Sequence, residues 1–197
     1  MYILGLNIFH GDSSACLLCD GKLIAAAEEE RFRRVKHWAG FPSESIKWCL
    51  SEANINLNDI NHISINQDPK ANIFKKIIYT ILKRPSLKML LGRFQNKQKR
   101  LSIKEYLLKE FPNSKFTGFI HSIEHHTAHL SSAFHVAPFT KSVVVSVDGF
   151  GDFASSAWGI GTGTKINLDD RVYFPHSLGI FYQALTQFIG FHNYGDE

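Results

Sequence analysis

The stretch "YILGLNIFHGDSSACLLCDGKLIAAAEEERF", Tyr2 to Phe32, decides the fold. It divides into three β-type runs, Tyr2 to Ile8, Ala15 to Cys19 and Leu23 to Ala27, separated by turn signals. Asp20 and Gly21 between the last two are a tight-hairpin pair, because both residue types accept the positive φ that a two-residue connection demands. Downstream the period changes from two to 3.6. In "PSESIKWCLSEANI", Ile46, Cys49, Leu50 and Ala53 supply the i, i+3, i+4, i+7 stripe of a helix, with Ser43 behind Pro42 as the expected N-cap. "INHISIN" and "KFTGFIHSI" read as two further strands, and "EHHTAHLSSAFHVA", Glu124 to Ala137, as the next helix.

The same grammar then starts again. "SVVVSVDGFGDFASSAWGIGTGTKINLDDRVYF" is a β-branched run ending at a polar residue and glycine, a second strand, a glycine turn and a third strand. A helix at "LGIFYQALTQFIG" follows, and the sequence ends at "YGDE" before this second unit could close. The expectation is an α/β protein with one βββαβα unit over residues 1–140, carrying a basic helical insertion at about 70–110, and the start of its repeat over 141–197. A fragment of a longer chain is the expected origin.

Composition bounds the class. With 44% hydrophobic and 20% charged residues in a chain of 197, disorder is excluded as the default. No run approaches the roughly 20 apolar residues of a membrane span, and the N-terminus reads as a strand rather than a signal peptide, so a cytoplasmic protein without a membrane partner is expected. Cys16 and Cys19 form a CxxC, but on a strand this spacing sends the thiols to opposite faces, against a zinc or redox role. Eleven Lys or Arg and no Asp or Glu lie between Lys70 and Lys104, leaving eleven basic against eighteen acidic residues elsewhere. Apolar residues at helical spacing within that run favour the solvated face of an inserted helical hairpin over a nucleic-acid surface.

The chemistry concentrates at three places. His125 and His129 are four residues apart, so on a helix both imidazoles present to one point, as a divalent metal requires; a solvated or core histidine pair would have the same spacing. A zinc-peptidase motif is disfavoured, since His126 stands where its general base would be. Asp148 at the end of "VVVSVD" offers a third ligand, and Gly149 and Gly151 would let backbone approach a phosphate, although Asp-Gly is also ordinary turn chemistry. In "NIFHGDSS", the turn with Asp12 and Ser13 can cradle an oxyanion while His10 takes a proton. The two turns occupy equivalent positions in the two units, as in a pseudo-symmetric nucleotide-binding fold.

Taken together, "GLNIFHGDSSACLLCDGKL", "AAAEEERFRRVKHWAGFP", "EHHTAHLSSAF", "VVVSVDGFGD" and "YGDE" resemble the N-terminal region of NodU/TobZ-type carbamoyltransferases over all but the basic insertion. The resemblance implies an actin-like ATPase (ASKHA, RNase H-like) fold related to the tRNA threonylcarbamoyl-transfer proteins, followed by a C-terminal YrdC-like domain that forms carbamoyl-adenylate from carbamoyl phosphate and ATP. It implies transfer of the carbamoyl group to a hydroxyl of a small-molecule acceptor, with His125, His129 and Asp148 as ligands of a divalent metal, iron by expectation, and His10 as the active-site histidine. Asp12, Ser13, Gly149 and Gly151 are then the expected cofactor-binding positions, and Lys36 and His37 candidates for the acceptor cleft. A later aspartate ligand and the YrdC-like domain would lie beyond Glu197, so the fragment alone is expected to be inactive. Two rivals stay open: a tRNA threonylcarbamoyladenosine-type transferase, and a truncated nucleotide- or partner-binding fragment.

Overall fold

The opening runs form strands β1 (Tyr2–Asn7), β2 (Ser14–Cys19) and β3 (Lys22–Glu28), followed by a single helical turn, α1 (Glu30–Arg33), and by α2 (Ser43–Glu52). The computed structural model describes residues 1–83, 102–193, 195 and 196. Strand β4 (His62–Ile65), helices α3 (Ile73–Lys83) and α4 (Ile103–Glu110), and strand β5 (Phe119–Ser122) come next. Helix α5 (His125–Phe134), strands β6 (Lys141–Gly151), β7 (Ala154–Thr162) and β8 (Lys165–Tyr173), and helix α6 (Leu178–Phe188) complete the order.

The chain divides into two compact units, Met1–Asn66 with Arg84–Ser122, and Gln67–Lys83 with Ile123–Glu197. This division falls earlier than the expected 140/141. Leu130 and Phe134 of α5 bury against Val144 of β6 and Ala157 of β7, which makes the histidine-bearing helix part of the second unit.

In the first unit the strand order is β3-β2-β1-β4-β5. β1 is antiparallel to β2 and parallel to β4, and β4 is parallel to β5, which is the βββαβ arrangement read from the sequence. Alternation on β1 turns Leu4 and Leu6 inward, where they meet Leu17, Ile63 and Ile65 of neighbouring strands and Ile46, Cys49 and Leu50 of the α2 stripe. Burial pushes the thiols of Cys16 and Cys49 up, that of Cys49 to about 11, which disfavours the thiolate that a metal ligand must be.

One local reading changes. Ser43 is not the N-cap of α2: Pro42 holds that position without a side-chain cap. The Glu29 carboxylate, 0% exposed, caps the helix from outside, taking the N–H of Glu44 at 3.2 Å on Oε1 and the N–H and hydroxyl of Ser45 at 2.8 and 2.9 Å on Oε2. Arg33 closes the group, its Nε 2.7 Å from Glu29 Oε1, its Nη2 donating to Ser43 Oγ at 2.8 Å and its guanidinium lying over the Trp38 ring. Of the charged run "EEERFRR", Glu29 is thus held inside the structure. Arg31 pairs with Glu28 and Lys36 with Glu30 at the surface.

The second unit is the antiparallel meander β6-β7-β8. β6 turns Val144 and Ser146 inward and leaves Val143, Val145 and Val147 exposed. Gly161 on β7 makes room for Phe134: a Cβ there would stand 2.5 Å from its ring. Of the basic insertion, α3 is described and residues 84–101 lie outside the described residues. Tyr79 packs edge-on to Phe153 and Phe174 at 5.7 and 5.1 Å, and Lys75 lies over Tyr173. No helix among the described residues is long and apolar enough to cross a membrane.

Candidate metal centre

Helix α5 begins on two carboxylates. Its N-cap Glu124 accepts from the N–H and the hydroxyl of Thr127 at 2.8 and 2.7 Å, and Asp152 accepts from the N–H of His125 at 2.9 Å. These satisfy backbone donors that have no partner within the helix, and the negative charge complements the positive end of its dipole. His125 and His129 then stack one turn apart on the same face.

β6 brings Asp148 to the same point. His125 Nε2 lies 2.7 Å from Asp148 Oδ2, His129 Nε2 lies 3.0 Å from His125 Nε2 and 3.6 Å from the same carboxylate oxygen. Hydrogen bonding alone serves this triangle poorly. If His125 Nε2 carries the proton for Asp148, it has no lone pair for His129, so two ring nitrogens meet over a single hydrogen. A cation serves it well: bonds of about 2.1 Å place neighbouring ligand atoms about 3.0–3.4 Å apart in octahedral and tetrahedral shells. Among the described residues these three are the only cluster of three or more potential metal ligands.

The environment prepares the ligands. Hydrogen bonding to His125, then to His129, holds the Asp148 carboxyl far below the usual carboxylate range. Its other oxygen is fixed by the Gly149 N–H at 2.6 Å. His125 is buried, whereas the His129 side chain is 48% exposed, so the cluster has one sealed side and one open to an incoming group. His126, at the position a peptidase would give its base, is fully buried, with Nδ1 2.9 Å from Ser146 Oγ; burial lowers its pKa.

The glycines of "DGFGD" have internal tasks. A Cβ on Gly151 would lie 1.9 Å from His125 Cδ2, so the imidazole rests on bare backbone. Asp148 and Gly149 present carbonyls 3.1 and 2.8 Å from the hydroxyl of Ser177, the N-cap of α6. Gly179 completes that contact, since a Cβ there would stand 2.5 Å from the Asp148 carbonyl. Asp148 is not the end of its strand as read: β6 continues to Gly151 through an irregular stretch after Val147.

In the first unit, His10, Asp12 and Ser13 share the β1–β2 turn, where Phe9 and Asp12 adopt positive φ of 61° each. Ser13 is buried, and its hydroxyl lies 3.1 Å from the His10 carbonyl and 2.9 Å from that of Gly40 while accepting from the Gly40 N–H. It therefore locks the turn to the loop at Gly40 instead of facing a phosphate. Asp12 Oδ1 lies 2.9 Å from His37 Nδ1, and Lys36 pairs with Glu30. Sequence reading missed Glu29, Asp152, Ser177 and Gly179; of these only Asp152 carried a signal, as the last letter of "DGFGD".

Comparison with known proteins identifies the family. The sequence model of the family described as "Carbamoyltransferase N-terminus" matches residues 2–197. The chain is 33% identical to the uncharacterized protein sll1178 of Synechocystis sp., over 96% of this chain and 32% of that protein. It is 31% identical to nodulation protein NolNO of Sinorhizobium fredii, over 94% of this chain and 26% of that protein. It thus spans about a third or less of the length of these curated relatives. Solved structures with a similar fold include YeaZ from Pseudomonas aeruginosa (TM-score 0.46, 11% identity, 88% of this chain and 67% of that one). A ROK hexokinase from Thermus thermophilus is another (TM-score 0.41, 12% identity, 87% and 49%). With the family's sequence pattern running through both units, from β1 to the end of the chain, the protein belongs to the carbamoyltransferase N-terminal family.

Proposed function

We propose that this chain supplies the metal-binding and acceptor-activating part of an ATP-dependent O-carbamoyltransferase. The observation that carries this reading is the convergence of His125, His129 and Asp148 in a member of the carbamoyltransferase family. Carbamoyl phosphate and ATP are the proposed co-substrates, and the acceptor is a small molecule with a free hydroxyl. In the transfer step the bond between the carbamoyl carbon and the adenylate oxygen breaks, a bond from that carbon to the acceptor oxygen forms, AMP departs and the hydroxyl proton goes to a base.

The side chains divide these tasks. His125, His129 and Asp148 would hold a divalent metal, iron by family resemblance, which would supply positive charge to phosphate oxygens. Asp148 stays ionised over the working pH range, and Gly149 fixes the direction of its carboxylate. His125 is sealed on the inner side and His129 borders the open one. His10 is the proposed base for the hydroxyl proton, since an imidazole is suited to accept a proton near neutral pH and an alcohol attacks weakly unaided. Ser13 and Asp12 shape the turn that presents it.

The test uses the full-length polypeptide, loaded with Fe(II), given labelled carbamoyl phosphate, ATP and a panel of sugar-type hydroxyl acceptors. One bound metal ion per chain and label on an acceptor oxygen, with AMP released in step, are expected. Transfer that proceeds unchanged after complete metal removal would sink the assignment, and so would label recovered on an amine instead.

A further inference from the structure

We propose that Asp152 is a positioning residue for the metal centre, acting through the backbone of His125; this rests on reading His125, His129 and Asp148 as metal ligands. Asp152 and Phe153 form the two-residue connection between β6 and β7, with φ of 49° and 74°. Asn-Gly would occupy such a turn with little strain, whereas two residues with full side chains are held in the left-handed region at a cost. An outlier of this kind persists where the surroundings over-determine it. Here the aspartate side chain accounts for the turn.

Its Oδ2 accepts from the His125 N–H at 2.9 Å and from the Asp68 N–H at 2.8 Å, and its own carbonyl accepts from Asn72 Nδ2 at 2.9 Å. One hairpin therefore holds His125 three ways. Asp148 meets its Nε2, Gly151 lies flat beneath its ring, and Asp152 takes its backbone N–H. A ligand held only at its ring can still drift with its helix; the carboxylate at the hairpin tip ties the first residue of α5 to the strand that carries Asp148. It also joins the segment at Asp68 and Asn72, where the basic insertion starts, to the same anchor. Outer groups that orient a ligand without touching the metal change affinity by roughly 10–100-fold when removed.

The experiment is a Co(II) titration of the purified protein, read by the visible ligand-field spectrum and by competition with a chelator. Asp152→Ala is expected to weaken Co(II) binding about 10–100-fold and to alter the spectrum. Asp152→Asn, whose amide oxygen accepts the same two N–H groups, should return affinity to near wild type. Asp152→Glu keeps the charge but displaces the oxygen and should resemble alanine; this pair gives the answer even if Asp152→Ala does not fold. Asn72→Ala, which loosens the turn without touching the carboxylate, should lower the melting temperature and leave affinity unchanged. Unchanged affinity and spectrum in Asp152→Glu, and in Asp152→Ala where it folds, would reduce Asp152 to a turn residue and overturn the proposal alone. A wild-type protein that takes up no Co(II) would instead remove the metal-centre reading beneath it.

Discussion

Replacing Glu29 by alanine is expected to destabilise the first unit by about 3–5 kcal/mol, the usual cost of removing one partner from a buried, hydrogen-bonded ion pair. The change leaves the Glu44 N–H, the Ser45 N–H and the Ser45 hydroxyl without their acceptor, and Arg33 without its carboxylate. Against a total of about 5–15 kcal/mol for a natural domain, the loss is enough to leave much of the protein unfolded at 37 °C. Glu29→Gln should cost less, about 1–3 kcal/mol, because its amide nitrogen faces donors where an oxygen was needed. Urea unfolding followed by circular dichroism reads both. If Glu29→Ala shifts the transition by less than Glu29→Gln, the carboxylate is not the cap of α2.

Gly151→Ala is expected to abolish tight metal binding without removing a ligand. The added methyl would stand 1.9 Å from His125 Cδ2 and 2.5 Å from its Nε2, and the neighbour that can yield is the imidazole itself. The glycine's own backbone lies outside the left-handed region, so alanine brings no strain of its own. The affinity for Co(II) or Fe(II) should fall more than the roughly 100-fold typical of outer-group changes, as it should for His129→Ala, which deletes a ligand. Stability should fall by only about 1–3 kcal/mol, the range for one extra methyl in a packed site. Isothermal titration with the metal alone measures the first effect and thermal melting the second. Retained affinity in Gly151→Ala would show that His125 binds from another position, or not at all.

The contrast between these two residues marks what the amino-acid order discloses. Strand alternation at Leu4 and Leu6, the Ile46–Cys49–Leu50 stripe and the His125–His129 spacing are local patterns, and local patterns survive as written because period and face follow from backbone geometry. Asp148 was legible for a related reason: a carboxylate after an apolar run is a chemical break in a buried strand. Glu29 was not, because it caps a helix that starts fourteen residues later, and nothing within the run "EEERFRR" separates the buried acid from its exposed neighbours. Ser13 was read as part of an oxyanion cradle, and its hydroxyl turns instead to a tertiary partner, Gly40. Gly151 was read as a place where the backbone can approach a phosphate closely. What approaches is a side chain of this protein, and that depends on the packing of α5 on the β6–β7 hairpin.

The three proposed metal ligands lie within one short span of chain, His125 and Asp148 being 23 positions apart. Closing a loop of this size costs little entropy, and its cost grows only slowly with length. Every group that grips His125, Gly151 and Asp152 included, emerges from the ribosome within a few more residues. Domains fold during synthesis at about 5–20 residues per second, so this pocket can assemble within seconds of its last residue being added. On the proposed reading, these three ligands and the groups that hold His125 in place are thereby made close together in time.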